Sequence, residues 1–119
     1  MEVRAYDDAV PFVTTDGSTI RSLLDLSVAP VVSHSLAEAT LPPGTATDRH
    51  HHAVSEEMYY VISGHGRMEI DGDERHITVG DAVLIPAGAW HQITNEAAAD
   101  LVFLCTCSPP WSAEDTYFD

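Results

Sequence analysis

The 119-residue chain carries a formal charge of −14, with 19 acidic residues against five arginines and no lysine. That balance excludes nucleic-acid binding, which needs a basic face to neutralise phosphates, and it disfavours an acidic membrane surface. A hydrophobic fraction of 45 % fits one globular domain, no apolar run approaches the ~18 residues that span a bilayer, and MEVRAYDDAV lacks a signal-peptide pattern, so the expected compartment is the cytoplasm.

Taken in chain order, residues 1–30 read as N-terminal strands or an arm packing on a barrel. DG at 16–17 marks a turn, and TIRSLLDL (19–26) reads as an edge strand in preference to a short helix. The barrel itself is expected over 31–108. Its turn signals are PPG (42–44), SGHG (63–66), DGD (71–73), GD (80–81) and PAG (86–88). Between them lie EMYYVI (57–62), RMEI (67–70), HITV (76–79), AVLI (82–85), HQIT (91–94) and LVFLCTC (101–107). Short β-branched and aromatic runs between regular turns predict an all-β fold, a small antiparallel barrel or sandwich.

Residues 109–119 read as a C-terminal tail, opened by two prolines that end the last strand. Ser112 and Asp115 form a weak capping-box pattern, which allows one helical turn. Trp111, Tyr117 and Phe118 are expected to anchor this tail over the barrel or a partner subunit. The only cysteines, Cys105 and Cys107, stand two apart on a strand and share a face, a poor arrangement for a mutual disulfide. They read as small buried hydrophobes in a reducing compartment, or as thiols lining a cavity.

The stretch RHHHAVSEE (49–57) concentrates three of the seven histidines. On a strand, His50 and His52 project to one face and His51 to the other, so the first two form a neighbouring pair of metal ligands. A glutamate joins them only if AVSE turns the chain. Local pattern leaves Glu56 and Glu57 equivalent, because either choice carries an apolar set with it. Downstream, a Pro-Ala-Gly corner at 86–88 holds His91 at a fixed depth, as a third imidazole ligand requires.

Two spacings carry a family resemblance. Gly44, five residues, His50, one residue, His52, four residues, Glu57, six residues and Gly64 resemble the first cupin motif. Gly80, five residues, Pro86-Ala87-Gly88, two residues, His91, three residues and Asn95 resemble the second. The resemblance implies a single-domain cupin β-barrel of jelly-roll type with the ligand set His50, His52, Glu57 and His91, and it selects Glu57 over Glu56 through the spacing to Gly64. Asn95 is expected to tie a turn to backbone. His34, His51, His65 and His76 are expected to lie outside the ligand set.

Three imidazoles and one carboxylate suit one divalent transition metal, Fe, Mn, Ni, Co, Zn or Cu. With four protein ligands on an octahedral ion, two positions stay open for a small organic molecule. Fold does not fix reaction, because cupins include isomerases, cyclases, lyases, dioxygenases and binders. Lewis-acid chemistry on an enolisable or hydroxy-keto substrate ranks first, a metal dioxygenase second and a non-catalytic ligand-binding module third. The margin rests on whether Cys105 and Cys107 face the cavity, where thiols are exposed to an oxygen-activating metal. Glu57 and Tyr59 are the candidate catalytic groups, and Val61, Phe103, Cys105 and Cys107 the candidate substrate-pocket wall. Gln92 is expected to point away from His91. Similar single-barrel cupins are commonly homodimers, and the large residues of YYVI offer an intersubunit face.

Overall fold

A computed structural model describes all 119 residues. They form eleven strands and two single-turn 3-10 helices, Tyr6–Asp8 and Ala113–Asp115. In chain order the strands are β1 (Phe12–Val13), β2 (Thr19–Leu24), β3 (Ser35–Leu41), β4 (His50–His52), β5 (Glu56–Ser63), β6 (His65–Ile70), β7 (Asp73–Thr78), β8 (Ala82–Ile85), β9 (His91–Thr94), β10 (Leu101–Ser108) and β11 (Thr116–Phe118). Two antiparallel sheets result, a six-stranded one ordered β1-β2-β3-β10-β5-β8 and a five-stranded one ordered β11-β4-β9-β6-β7. This is the expected all-β jelly roll. No helix is long and apolar enough to cross a membrane.

Alternation along β5 shows how the sequence orients the sheets. Glu57, Tyr59 and Val61 are buried, while Glu56, Met58, Tyr60 and Ile62 are exposed. The inward residues of both sheets meet in one core that includes Leu41, Val61, Ile85, Ile93, Leu101 and Phe103, each 2 % exposed or less. Burial of each such side chain contributes about 1.5–3 kcal/mol. The segment 19–24 is a strand, and β1 and β2 extend the six-stranded sheet beyond β3.

SGHG is tighter than a four-residue turn. Only Gly64 separates β5 from β6, at φ +82°, and a Cβ there would sit 2.5 Å from the Asp100 carbonyl oxygen. Both the left-handed backbone and the lack of space require glycine. Asn95, fully buried, donates from Nδ2 to the carbonyls of Leu41 (2.9 Å) and Ala99 (2.8 Å) and accepts from the Ala97 amide (2.9 Å). It is the expected backbone tie.

The C-terminal tail closes back on the barrel. Ser112 precedes the single turn but makes no side-chain cap. Asp115 instead accepts from the amides of Val54 and Ser55, both at 2.9 Å, and Ser55 Oγ donates to the Pro109 carbonyl at 2.8 Å. β11 then pairs with β4, placing Thr116 opposite His52 and Phe118 opposite His50. Four residues distant in sequence, Arg49, Glu69, Trp90 and Asp119, complete the attachment. The Arg49 guanidinium reaches Glu69 at 2.6 Å and Asp119 at 2.8 Å and lies 5.5 Å from the Trp90 ring centroid.

Candidate metal centre

His50 and His52 are both 3 % exposed on β4, whereas His51 points outward, against Trp90 and Tyr117. His91 opens β9 and is the direct cross-strand partner of His50. The Pro86-Ala87-Gly88 corner fixes its depth, because the Gly88 amide donates to the His52 carbonyl at 2.6 Å. Three imidazoles therefore come from the five-stranded sheet. Glu57 comes from β5 in the opposite sheet, 5 % exposed, so the four side chains bridge the two layers. One ligand atom from each lies within 4.8 Å of all the others.

Each imidazole is oriented through its outer nitrogen. Nδ1 of His50 donates to the Asp48 carbonyl at 2.7 Å, Nδ1 of His91 to the Ala89 carbonyl at 3.0 Å, and Nδ1 of His52 to the Asp115 carbonyl at 3.3 Å. An N–H committed to a carbonyl leaves Nε2 as the lone-pair nitrogen, which is how metal-ligating histidines are commonly held. Glu57 Oε1 lies 3.3 Å from Nε2 of both His52 and His91. Yet Glu57 Oε1 and His91 Nε2 are fully buried without a hydrogen-bond partner. Orphaned buried polar atoms are costly, and converging donor atoms that lack partners fit a bound cation.

Electrostatics agree. Burial opposes ionisation of Glu57, but the close approach of His52 and His91 outweighs it and holds the carboxyl at about 2. Burial works to lower the pKa of His52, and Glu57 overrides it, so that histidine is shifted upward. His50 goes the other way, depressed by burial and by the charge of His91. The carboxylate is therefore ionised at neutral pH, as a metal ligand must be, while His52 would have to give up its proton on ligation.

The cavity beside His50, His52 and Glu57 has a volume of about 60 Å³. Tyr59, Phe103, Cys105 and Cys107 line it, and Val61 does not; Val61 lies wholly within the core. Both thiols thus face the cavity. Cys107 Sγ donates to Glu57 Oε2 at 3.2 Å and Cys105 Sγ to the Ala37 carbonyl at 3.6 Å. Burial pushes both thiols upward, with the Glu57 charge adding to it. Tyr59 is raised by the same two causes and stays protonated. Gln92 donates to the Thr47 carbonyl at 2.9 Å, away from the cluster.

Two contributors went unnoticed in the sequence. Phe12, Thr14, Asp16, Ser18, Ile20 and Ser22 all line the cavity, every second residue of the N-terminal hairpin, with Asp25 beyond them. That period of two was legible across the DG turn. Trp111 was expected to anchor the tail and lines the cavity as well.

A cupin-domain family model matches residues 37–107. An uncharacterized protein of Methanocaldococcus jannaschii is 42 % identical over 93 % of this chain and 89 % of its own. A solved structure of a predicted oxalate decarboxylase from Thermotoga maritima superposes at TM-score 0.78, with 27 % identity over 91 % of this chain and 98 % of that one. A 5-aminosalicylate 1,2-dioxygenase of Comamonas sp is 32 % identical over 67 % of this chain but only 22 % of its own.

Proposed function

This chain belongs to the cupin family, and from that premise we propose that it is a metal-dependent enzyme of small-molecule metabolism working without redox change. His50, His52, Glu57 and His91 hold one divalent transition metal in this reading. A metal held there would supply positive charge to polarise a substrate carbonyl. The substrate class is an enolisable or hydroxy-keto compound, and the reaction an isomerisation, cyclisation or elimination.

The placement of the thiols carries this reading. Cys107 touches the carboxylate ligand and Cys105 lines the same cavity. Burial raises the pKa of both thiols in the metal-free protein. Dioxygen chemistry at this ligand set would run within reach of both thiols. Tyr59, protonated and facing the cavity, is a hydrogen-bond donor to the reacting oxygen rather than a base. Glu57 orients the metal and takes up a proton only if it leaves it.

The likeness to the Comamonas dioxygenase favours a second reading, dioxygen chemistry at the same ligand set. Oxygen uptake decides between them. Apo-protein is loaded with Fe(II), Mn(II), Co(II), Ni(II), Zn(II) or Cu(II) in turn and offered enols, hydroxy-ketones and diols. Turnover without oxygen loss supports the first reading, and stoichiometric oxygen consumption with Fe(II) supports the second. Tight binding with no turnover under any metal leaves a ligand-binding module.

The same reading takes the protein as a cytoplasmic homodimer. Met58, Tyr60 and Ile62 on β5, with Leu84 paired to Met58 on β8, leave an exposed apolar outer face that a second copy would cover. Sedimentation showing only monomer at micromolar concentration would remove that element.

A further inference from the structure

The hairpin side of the cavity has a chemistry of its own. Its wall is the N-terminal hairpin, where Asp16, Ser22 and Asp25 face inward beside the aromatic rings of Phe12 and Trp111. Neither arginine nor lysine lines it. Asp16 is set rigidly: Ser18 donates to its Oδ1 from the amide at 2.9 Å and from Oγ at 2.6 Å, leaving Oδ2 for a ligand. The Asp16 carbonyl accepts from the Asp48 amide at 2.7 Å, and the Asp48 carbonyl holds His50 Nδ1. The hairpin is therefore coupled by backbone hydrogen bonds to the metal centre. At Asp25, burial opposes ionisation, but the hydrogen bonds of Ser27 and Ser22 prevail and keep its carboxyl below the ordinary range. Across the cavity, Glu57 Oε1 is a buried polar atom without a hydrogen-bond partner.

We propose that Asp16 and Asp25 are specificity-determining residues, selecting a substrate whose metal-binding oxygens are followed by a tail that donates hydrogen bonds and rejecting one that ends in a second carboxylate. This rests on the metal-centre reading above. Two fixed carboxylates accept hydrogen bonds and donate none, so hydroxyl groups satisfy them while an anionic tail meets repulsion with no cation in reach. Ser22, its proton committed to Asp25, adds an acceptor oxygen that suits a hydroxyl. The flat faces of Phe12 and Trp111 offer apolar contact to the C–H face of a short polyol chain. A dicarboxylate gains attraction only at its metal end.

The test uses three four-carbon acids with the same α-hydroxycarboxylate head. Threonate ends in a hydroxymethyl group, tartrate in a carboxylate and 4-amino-2,3-dihydroxybutanoate in an ammonium. Each is titrated calorimetrically into full-length protein loaded with one equivalent of Co(II), in the wild type and in Asp16→Asn/Asp25→Asn. The expected wild-type preference for threonate over tartrate is tenfold or more, and the double variant should shrink that ratio at least tenfold with Co(II) content unchanged. Equal or tighter binding of tartrate by the wild type overturns the proposal. So does a preference unaltered by the double substitution, or an ammonium acid bound no more tightly than tartrate. Binding of Co(II) without binding of any acid overturns it too and leaves the metal centre standing. Failure to bind Co(II) removes the metal centre and this proposal together.

Discussion

Cys107 and Glu57 face each other across the β5–β10 ladder, and the thiol donates to Glu57 Oε2 at 3.2 Å. The donor occupies one carboxylate oxygen, while Oε1 turns towards His52 and His91. Cys107→Ala removes this donor, which is worth about 0.5–1.5 kcal/mol, so metal affinity should fall by tenfold or less. Cys107→Ser restores an O–H and should recover most of it. Chelator competition measures both. A hundredfold loss in the serine variant would show that sulfur itself ligates.

Proton competition sets the acid limit of metal binding. His52 is shifted upward, so its proton must be displaced as metal enters, and affinity should climb as pH rises through neutrality. Below that range each additional protonated histidine costs about tenfold per pH unit. Chelator competition at about pH 5 to 8 should show the slope, and a flat profile would contradict it.

Stability of the metal-free protein responds with the opposite signs at the two groups. Glu57, held at about 2 against an unfolded value of ~4.3, contributes stability that is complete above the unfolded value and lost as pH falls towards 2. His52, raised, contributes below ~6.5 and loses its contribution as pH rises through its folded value. Glu57→Gln should therefore flatten the acid limb of urea unfolding measured against pH. An unchanged acid limb would show that Glu57 is not the group being titrated.

Asp115 fastens the tail to the turn between β4 and β5. Its two carboxylate oxygens accept from the amides of Val54 and Ser55, and its carbonyl faces His52 Nδ1. Asp115→Asn can satisfy only one of the two amides and sets an NH₂ against the other. The expected cost is about 1–3 kcal/mol, seen as a drop in Tm of several degrees. Weaker metal retention should accompany it. Unchanged Tm would mean that Val54 and Ser55 find other acceptors.

His51 separates packing from ligation. Its ring stacks on Tyr117 at 5.2 Å between centroids and meets Trp90 edge-on at 4.4 Å. His51→Ala should lower stability by about 1 kcal/mol and leave metal content intact, whereas His50→Ala should sharply reduce it. Equal metal loss in both variants would contradict the assignment of faces.

What the sequence disclosed follows from which physical rule governs each residue. Strand parity placed His50 and His52 together and turned His51 away, because β4 is regular and one face is buried. Glu57 was different: β5 alternates apolar residues on both faces, so periodicity left Glu56 equivalent, and only the spacing to Gly64 told them apart. The structure gives that spacing a cause in the absence of room for a Cβ at Gly64. Asp16 and Asp25 fall within residues 1–30, which read only as strands or an arm packing on the barrel, although the alternation from Phe12 to Ser22 continues through the DG turn. Asp115 was read as part of a helix cap, and its partners, Val54 and Ser55, lie about 60 residues away. No local rule reaches that far.

Metal stoichiometry tests the central claim most directly. The wild type, His91→Ala and the double variant Glu57→Gln/His91→Ala are dialysed with Co(II), freed of excess ion, and assayed for metal and visible absorption. One cobalt per chain in the wild type, a sharply reduced content in His91→Ala and none in the double variant is the expected result. One cobalt per chain persisting in the double variant would place the metal elsewhere and contradict the centre described by His50, His52, Glu57 and His91.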